Sequence, residues 1–147
     1  MALLSPSDQA KLREAFAEKR NSVKILFFTQ TLGCETCPQA RQIIDELPPL
    51  SDKITVDEVN LVLDAEKAKR YGVDRVPALA LVGPDGDGQE RDSRIRFLGT
   101  PAGYEFMSLI NAVLLVGGRE SNLTESNRKK IAAVATPLTF QVFTTPT

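Results

Sequence analysis

Two cysteines, Cys34 and Cys37, stand between a run that reads as a buried strand and a run that reads as a helix. Val23 to Thr29 (VKILFFT) is β-branched and aromatic and mostly apolar on both faces, which suits a central strand covered on both sides. Cys34-Glu35-Thr36-Cys37 follows after a short turn, and Pro38 to Leu47 (PQARQIIDEL) reads as a helix closed by Pro48-Pro49. Residues i and i+3 share a helix face, at a Cα separation that a disulfide can bridge. A helix start offers orphan N–H groups and a positive dipole end, worth about 0.3–1 kcal/mol to a nearby anion. That lowers the pKa of the first cysteine. The pattern points to a redox pair in which Cys34 attacks and Cys37 resolves. Two buried structural thiols, or half of a metal site shared between chains, are the competing readings of this spacing.

The flanking chain frames that junction. Ser5-Pro6-Ser7-Asp8 supplies a cap, a first-turn proline and an acid for an opening helix, with Leu12, Ala15 and Phe16 on its apolar side. Ile54 to Leu61 alternates as a strand, and Asp64 to Tyr71 reads as a short helix stopped by Gly72. Ala78 to Val82 is a short buried strand, Gly83 to Gly88 a turn, and Arg94 to Leu98 the return strand of a hairpin. Glu90 stands where an EF-hand loop needs its glycine, so the Asp85-Gly86-Asp87-Gly88 tract is a turn and not a calcium loop. Pro101 opens a helix that runs to about Val116, apolar on more than one side, before Gly117-Gly118. A β-α-β unit followed by a hairpin and a helix implies an α/β fold, a mixed sheet with helices on both faces.

Val76-Pro77 precedes the second core strand, where proline removes a ladder donor. A cis bond there lays the backbone of Val76 beside the cysteines, open to an extended substrate; a trans strand-entry proline is the plain alternative.

Composition removes whole classes of chemistry. The 147 residues include no histidine, so Ser-His-Asp and Cys-His nucleophile pairs and histidine metal sites are excluded. With two cysteines and no histidine, a closed zinc site cannot form within one chain, and no metal or bound cofactor is expected. Eighteen Lys and Arg against 19 Asp and Glu leave no basic field for nucleic acid. No apolar run approaches the roughly 18 residues of a membrane span. Met1-Ala2-Leu3-Leu4-Ser5-Pro6 has neither the charged start nor the long apolar core of a secretory signal, so a cytoplasmic location is the expectation.

The chain then begins to repeat itself. Leu123-Thr124-Glu125-Ser126 echoes Leu4-Ser5-Pro6-Ser7, a helical stretch with Ile131, Val134 and Ala135 follows, and Leu138 to Thr144 (LTFQVFT) echoes VKILFFT. The echo stops at Thr145-Pro146-Thr147, where the first copy approaches its cysteines, which suggests a chain cut inside a tandem protein. The expected division is a complete unit at 1–118 and, at 119–147, the helix and strand that open a second.

Cys-X-X-Cys after a buried strand, Val-Pro downstream, then a hairpin and a helix resembles the thioredoxin/glutaredoxin fold. The extra N-terminal helix, Leu32 to Cys37 (LGCETC) and the partial second copy are similar to the tandem glutaredoxin-like protein disulfide oxidoreductases. The resemblance implies a thiol-disulfide oxidoreductase in which Cys34 attacks, Pro77 is cis, and Val76 and Pro77 orient the substrate. Its implied partners are protein disulfides and a thioredoxin-reductase-like or thiol electron donor. Glu35 beside the nucleophile disfavours its thiolate, and Arg75 is placed to offset it. Thioredoxins carry a buried acid six residues before the first cysteine; here that position is Phe28. Arg75-Val76-Pro77 and Leu98-Gly99-Thr100 depart from the glutathione-holding residues of glutaredoxins, so poor glutathione binding is expected. Two rivals share these residues: the N-terminal redox domain of a larger flavoprotein reductase, and a metal-binding or scaffold module using the cysteines between chains. The unpaired C-terminal segment and the apolar Pro101–Val116 helix would also suit a homodimer.

Overall fold

A computed structural model describes residues 3–18 and 20–145. The expectations placed on Met1, Ala2, Pro146 and Thr147 fall outside those residues.

The first helix, α1 (Pro6–Ala17), starts as its cap residues dictate. The hydroxyl of Ser5 accepts the Asp8 N–H at 3.1 Å and donates to the Asp8 carboxylate at 2.7 Å. Next come β1 (Val23–Thr29), α2 (Cys37–Asp45), a 3-10 turn at Pro48–Leu50, β2 (Ile54–Asn60) and α3 (Ala65–Arg70). The hairpin of β3 (Ala78–Pro84) and β4 (Glu90–Leu98) leads to α4 (Tyr104–Val116) and α5 (Glu125–Ala132). The sheet has the order β2-β1-β3-β4. β1 runs parallel to β2 from Val23↔Ile54 to Thr29↔Asn60, and antiparallel to β3 from Lys24↔Val82 to Phe28↔Ala78. The hairpin closes β4 onto β3, with the Asp85 carboxylate accepting the N–H groups of Asp87 and Gln89 at 2.9 and 2.8 Å.

The both-sided apolarity of β1 is explained by a core on each face of the sheet. Val23, Ile25 and Phe27 pack with Leu12 and Phe16 of α1, Ala40 and Ile44 of α2 and Leu109, Ile110 and Val113 of α4. Leu26 and Phe28 face the other way, with Ala78, Ala80, Val59, Val73 and Ala68 of α3. On the first face β3 passes close beneath the end of α4. A Cβ added at Gly83 would come 2.7 Å from Cγ1 of Val116, so only glycine fits.

The second face is closed by a polar clamp on β4. A bulge between Ala80 and Val82 puts Arg94 at φ 64°, where the Asp92 carboxylate accepts its N–H at 2.8 Å. Arg96 grips that carboxylate with two N–H groups at 2.8 and 2.6 Å, which holds Asp92 below the ordinary carboxylate range. The same guanidinium donates to the Tyr71 carbonyl at 3.0 Å and lies 5.5 Å from the centre of the Tyr71 ring. The edge strand is thereby fastened to the end of α3, from which the chain runs to Val76-Pro77.

The mixed sheet, the helices on both faces and the extra N-terminal helix match the expected fold. Several boundaries move. α2 begins at Cys37 rather than Pro38, α3 spans Ala65–Arg70, β3 runs on to Pro84, β4 starts at Glu90, and α4 starts at Tyr104 rather than Pro101. One element is absent: Leu138 to Thr144, expected as a strand, forms none. A strand exists by pairing its backbone with a neighbour. Here Phe140, Val142 and Phe143 stand 85%, 85% and 91% exposed.

Candidate active site

The C-terminal end of β1 and the N-terminal end of β3 meet at one end of the sheet, because Phe28 pairs with Ala78. β1 continues there into the turn that carries Cys34, and β3 is entered there through Val76 and Pro77. Gly33, at φ 75°, turns the chain immediately before the first cysteine, a conformation that suits glycine. Cys34 and Cys37 form a disulfide with an S–S distance of 2.01 Å and a Cα separation of 5.5 Å.

The two sulfurs occupy unlike surroundings. Cys34 is half-buried and precedes the helix; Cys37 is buried and is its first residue. The cysteines therefore do not share a helix face, as their spacing suggested. Cys34 instead lies ahead of the N-terminus of α2, on the side towards which its first N–H groups point. No side chain caps that terminus, whereas hydroxyls of Ser5 and Thr124 close the first turns of α1 and α5. The orphan N–H groups of α2 are thus left for an anion at Cys34.

Hydrogen bonds tie the Val76-Pro77 loop to the cysteine loop. The Gly99 N–H donates to the Pro77 carbonyl at 2.8 Å, and the Thr100 hydroxyl donates to the Thr36 carbonyl at 3.4 Å. The Val76–Pro77 bond is cis, Pro77 is buried and Val76 half-buried. Val76 makes no main-chain hydrogen bond to another described residue, so its backbone polar groups remain available.

Glu35 and Arg75 are exposed. Arg75 bonds Asp74 at 2.8 Å, which stabilises its charge and pulls the Asp74 carboxyl below its usual range. Among the described residues no group of His, Cys, Asp and Glu side chains is arranged to hold a metal ion, and no helix is long and apolar enough to cross a membrane. Sequence reasoning missed the Gly99–Thr100 link and the exposed Val62-Leu63 pair beyond β2. The first is a contact between residues distant in sequence. The second lies between the strand and the helix that the sequence marked, and was given no reading there.

No family model matches the chain. It is 36% identical over 90 residues to a probable thioredoxin of Methanothermobacter thermautotrophicus, an alignment covering 60% of this chain and 93% of that one. The NTD_N/C domain of the alkylhydroperoxide reductase AhpF from Enterococcus faecalis superposes with a TM-score of 0.77 at 28% identity, over 88% of this chain and 60% of that one. A protein disulfide oxidoreductase from Aeropyrum pernix superposes at 0.73 and 24% identity, over 88% and 54%. The chain thus spans little more than half of those two longer structures, while it matches nearly all of the short archaeal relative. Identity at that level along almost the whole of a relative goes beyond a shared fold, and the chain belongs to the thioredoxin family of thiol-disulfide oxidoreductases.

Proposed function

We propose that the chain exchanges disulfides with protein partners, with Cys34 as nucleophile and Cys37 as resolving thiol. The unequal exposure of the two cysteines across an uncapped helix start carries the assignment. In the reducing direction the Cys34 thiolate attacks one sulfur of the partner's disulfide, forms a mixed disulfide and releases one partner thiolate. Cys37 then loses its proton and attacks the Cys34 sulfur, which releases the second partner thiolate and closes the Cys34–Cys37 bond. A dithiol or a reductase returns two electrons. The couple calls for no bound cofactor, and a cytoplasmic location suits it. The free backbone of Val76, held next to the site by the Pro77–Gly99 bond, serves to align an extended partner strand. Glu35, adjacent to the nucleophile, disfavours its thiolate by like charge, and Arg75 is the residue placed to offset it.

Residues 119–147 are read as the opening of a second unit. Thr124 caps α5 by accepting the Asn127 N–H at 3.2 Å, with φ −63° and ψ 154°, as Ser5 caps α1 with φ −64° and ψ 155°. The exposed side chains of Leu138, Phe140 and Val142 would suit a contact through which two copies pair. The likeness to the AhpF domain favours a second reading, in which the chain passes electrons within a larger flavoprotein system. The Cys34–Cys37 chemistry is the same and only the donor differs.

Catalysis of insulin reduction by dithiothreitol tests the reading. Micromolar protein is expected to accelerate insulin precipitation well beyond dithiothreitol alone. A rate equal to the uncatalysed one would refute it.

A further inference from the structure

We propose that Thr100 is a positioning residue for the exchange reaction, its hydroxyl holding the Thr36–Cys37 peptide at the start of α2 in the orientation that stabilises a Cys34 thiolate. The inference rests on the assignment of Cys34 as nucleophile made above. The Thr100 hydroxyl donates to the Thr36 carbonyl at 3.4 Å. Among the described residues no other side chain hydrogen-bonds the main chain of residues 34–37. The same carbonyl accepts the Ala40 N–H at 3.0 Å, the bond with which the helix begins. The N–H of that peptide is the Cys37 N–H, one of the orphan donors of α2, and it bonds no described group. One hydroxyl thus reaches, from a segment 64 residues away, the peptide from which the helix starts.

Thr100 is held in place on both sides. Before it, Gly99 turns the chain at φ 104°, and its N–H is fixed on the Pro77 carbonyl at 2.8 Å. After it, the Thr100 carbonyl accepts the Ala102 N–H at 2.8 Å, and Pro101 restricts Thr100 to extended backbone. The side chain is β-branched and stiff at χ1, so the hydroxyl is delivered with little rotamer freedom left to lose. The bond matters most once the disulfide opens. In the oxidised protein the Cys34–Cys37 bond itself ties the loop to the first turn of α2. In the dithiol that tie is gone, and the Thr100–Thr36 bond remains to fix the first peptide of the helix. A peptide free to tilt offers an anion at Cys34 less of its dipole and of its N–H. Donation to its carbonyl also polarises the peptide and strengthens that N–H as a donor.

The test is the pH profile of iodoacetamide alkylation of the reduced full chain, with the first modified thiol located by peptide mass. T100V removes the hydroxyl and keeps the shape, while T100S keeps the hydroxyl and removes the methyl group. In T100V the midpoint for Cys34 is expected to rise by about half a pH unit, a roughly threefold loss in thiolate formation, the effect of one ordinary hydrogen bond. T100S should follow the parent. The ionisable groups on the segments that meet here are Glu35 and Cys37, Asp74 and Arg75 ahead of Val76, and Tyr104 and Glu105 in the first turn of α4. All are common to the three proteins, so the shift reads the hydroxyl. If T100V does not fold, T100A replaces it with the same expectation. A midpoint equal to the parent's overturns the inference, and so does a T100S shift of the same size, which assigns the effect to packing. In either case Cys34 alkylated first leaves the nucleophile assignment standing. Cys37 alkylated first in the parent overturns that assignment and this inference with it.

Discussion

A Cys37→Ser variant is expected to stall as a covalent adduct with its protein substrate, while Cys34→Ser forms none. In Cys37→Ser the half-buried Cys34 still attacks, and the mixed disulfide survives because a serine hydroxyl cannot displace it. In Cys34→Ser the remaining thiol is buried in the first turn of α2, where an incoming disulfide cannot align with it. Both variants should lose turnover by about 10³-fold or more, since each step needs its own sulfur. The adduct distinguishes them on a non-reducing gel or by intact mass, as a species that dithiothreitol dissolves. Adducts formed by Cys34→Ser instead would reverse the assigned roles. Adducts from neither would place the nucleophile elsewhere.

The second large effect is structural. Phe28→Ala is expected to destabilise the fold by about 3–5 kcal/mol, the usual loss for a buried aromatic ring. Phe28 is fully buried in the smaller core, between β1 and α3, with its ring centre 6.1 Å from that of Tyr71. Its neighbours there include Ala68, Ala78 and Ala80, side chains too short to fill the vacated space. Set against a typical domain stability of about 5–15 kcal/mol, the loss is a large fraction of the whole. Urea unfolding of the oxidised protein measures it, and a change under about 1 kcal/mol would show that the ring is not a principal support of this face. The position has a chemical side too. Phe28 occupies the place of the buried acid of thioredoxins, so in the proposed exchange the proton lost by Cys37 passes to some other acceptor.

Which features could be read from residues alone follows from how local their causes are. The both-sided apolar run of β1 could be read as a central strand because burial on two faces leaves a direct compositional mark. The cap of α1 could be read because Ser5 and Asp8 are near neighbours. The start of α2 could not be placed to the residue. Thr36, at φ −96° and ψ −8°, is the N-cap: its carbonyl already accepts the Ala40 N–H at 3.0 Å, while Cys34 stays outside. The ion pair of Arg75 with its neighbour Asp74 was not read from the sequence. Leu138 to Thr144 shows the limit most clearly. Its pattern is that of a strand, yet strand formation depends on a partner backbone that the described chain does not place beside it.

The most direct test of the central claim is the reduction potential of the Cys34–Cys37 pair. It is obtained by equilibrating the protein in glutathione buffers and counting free thiols after acid quenching. A reversible two-electron couple between about −300 and −180 mV is expected, the span of exchange enzymes. A bond that glutathione never opens, or thiols that never close, would contradict the claim and return the cysteines to a structural or metal-binding role.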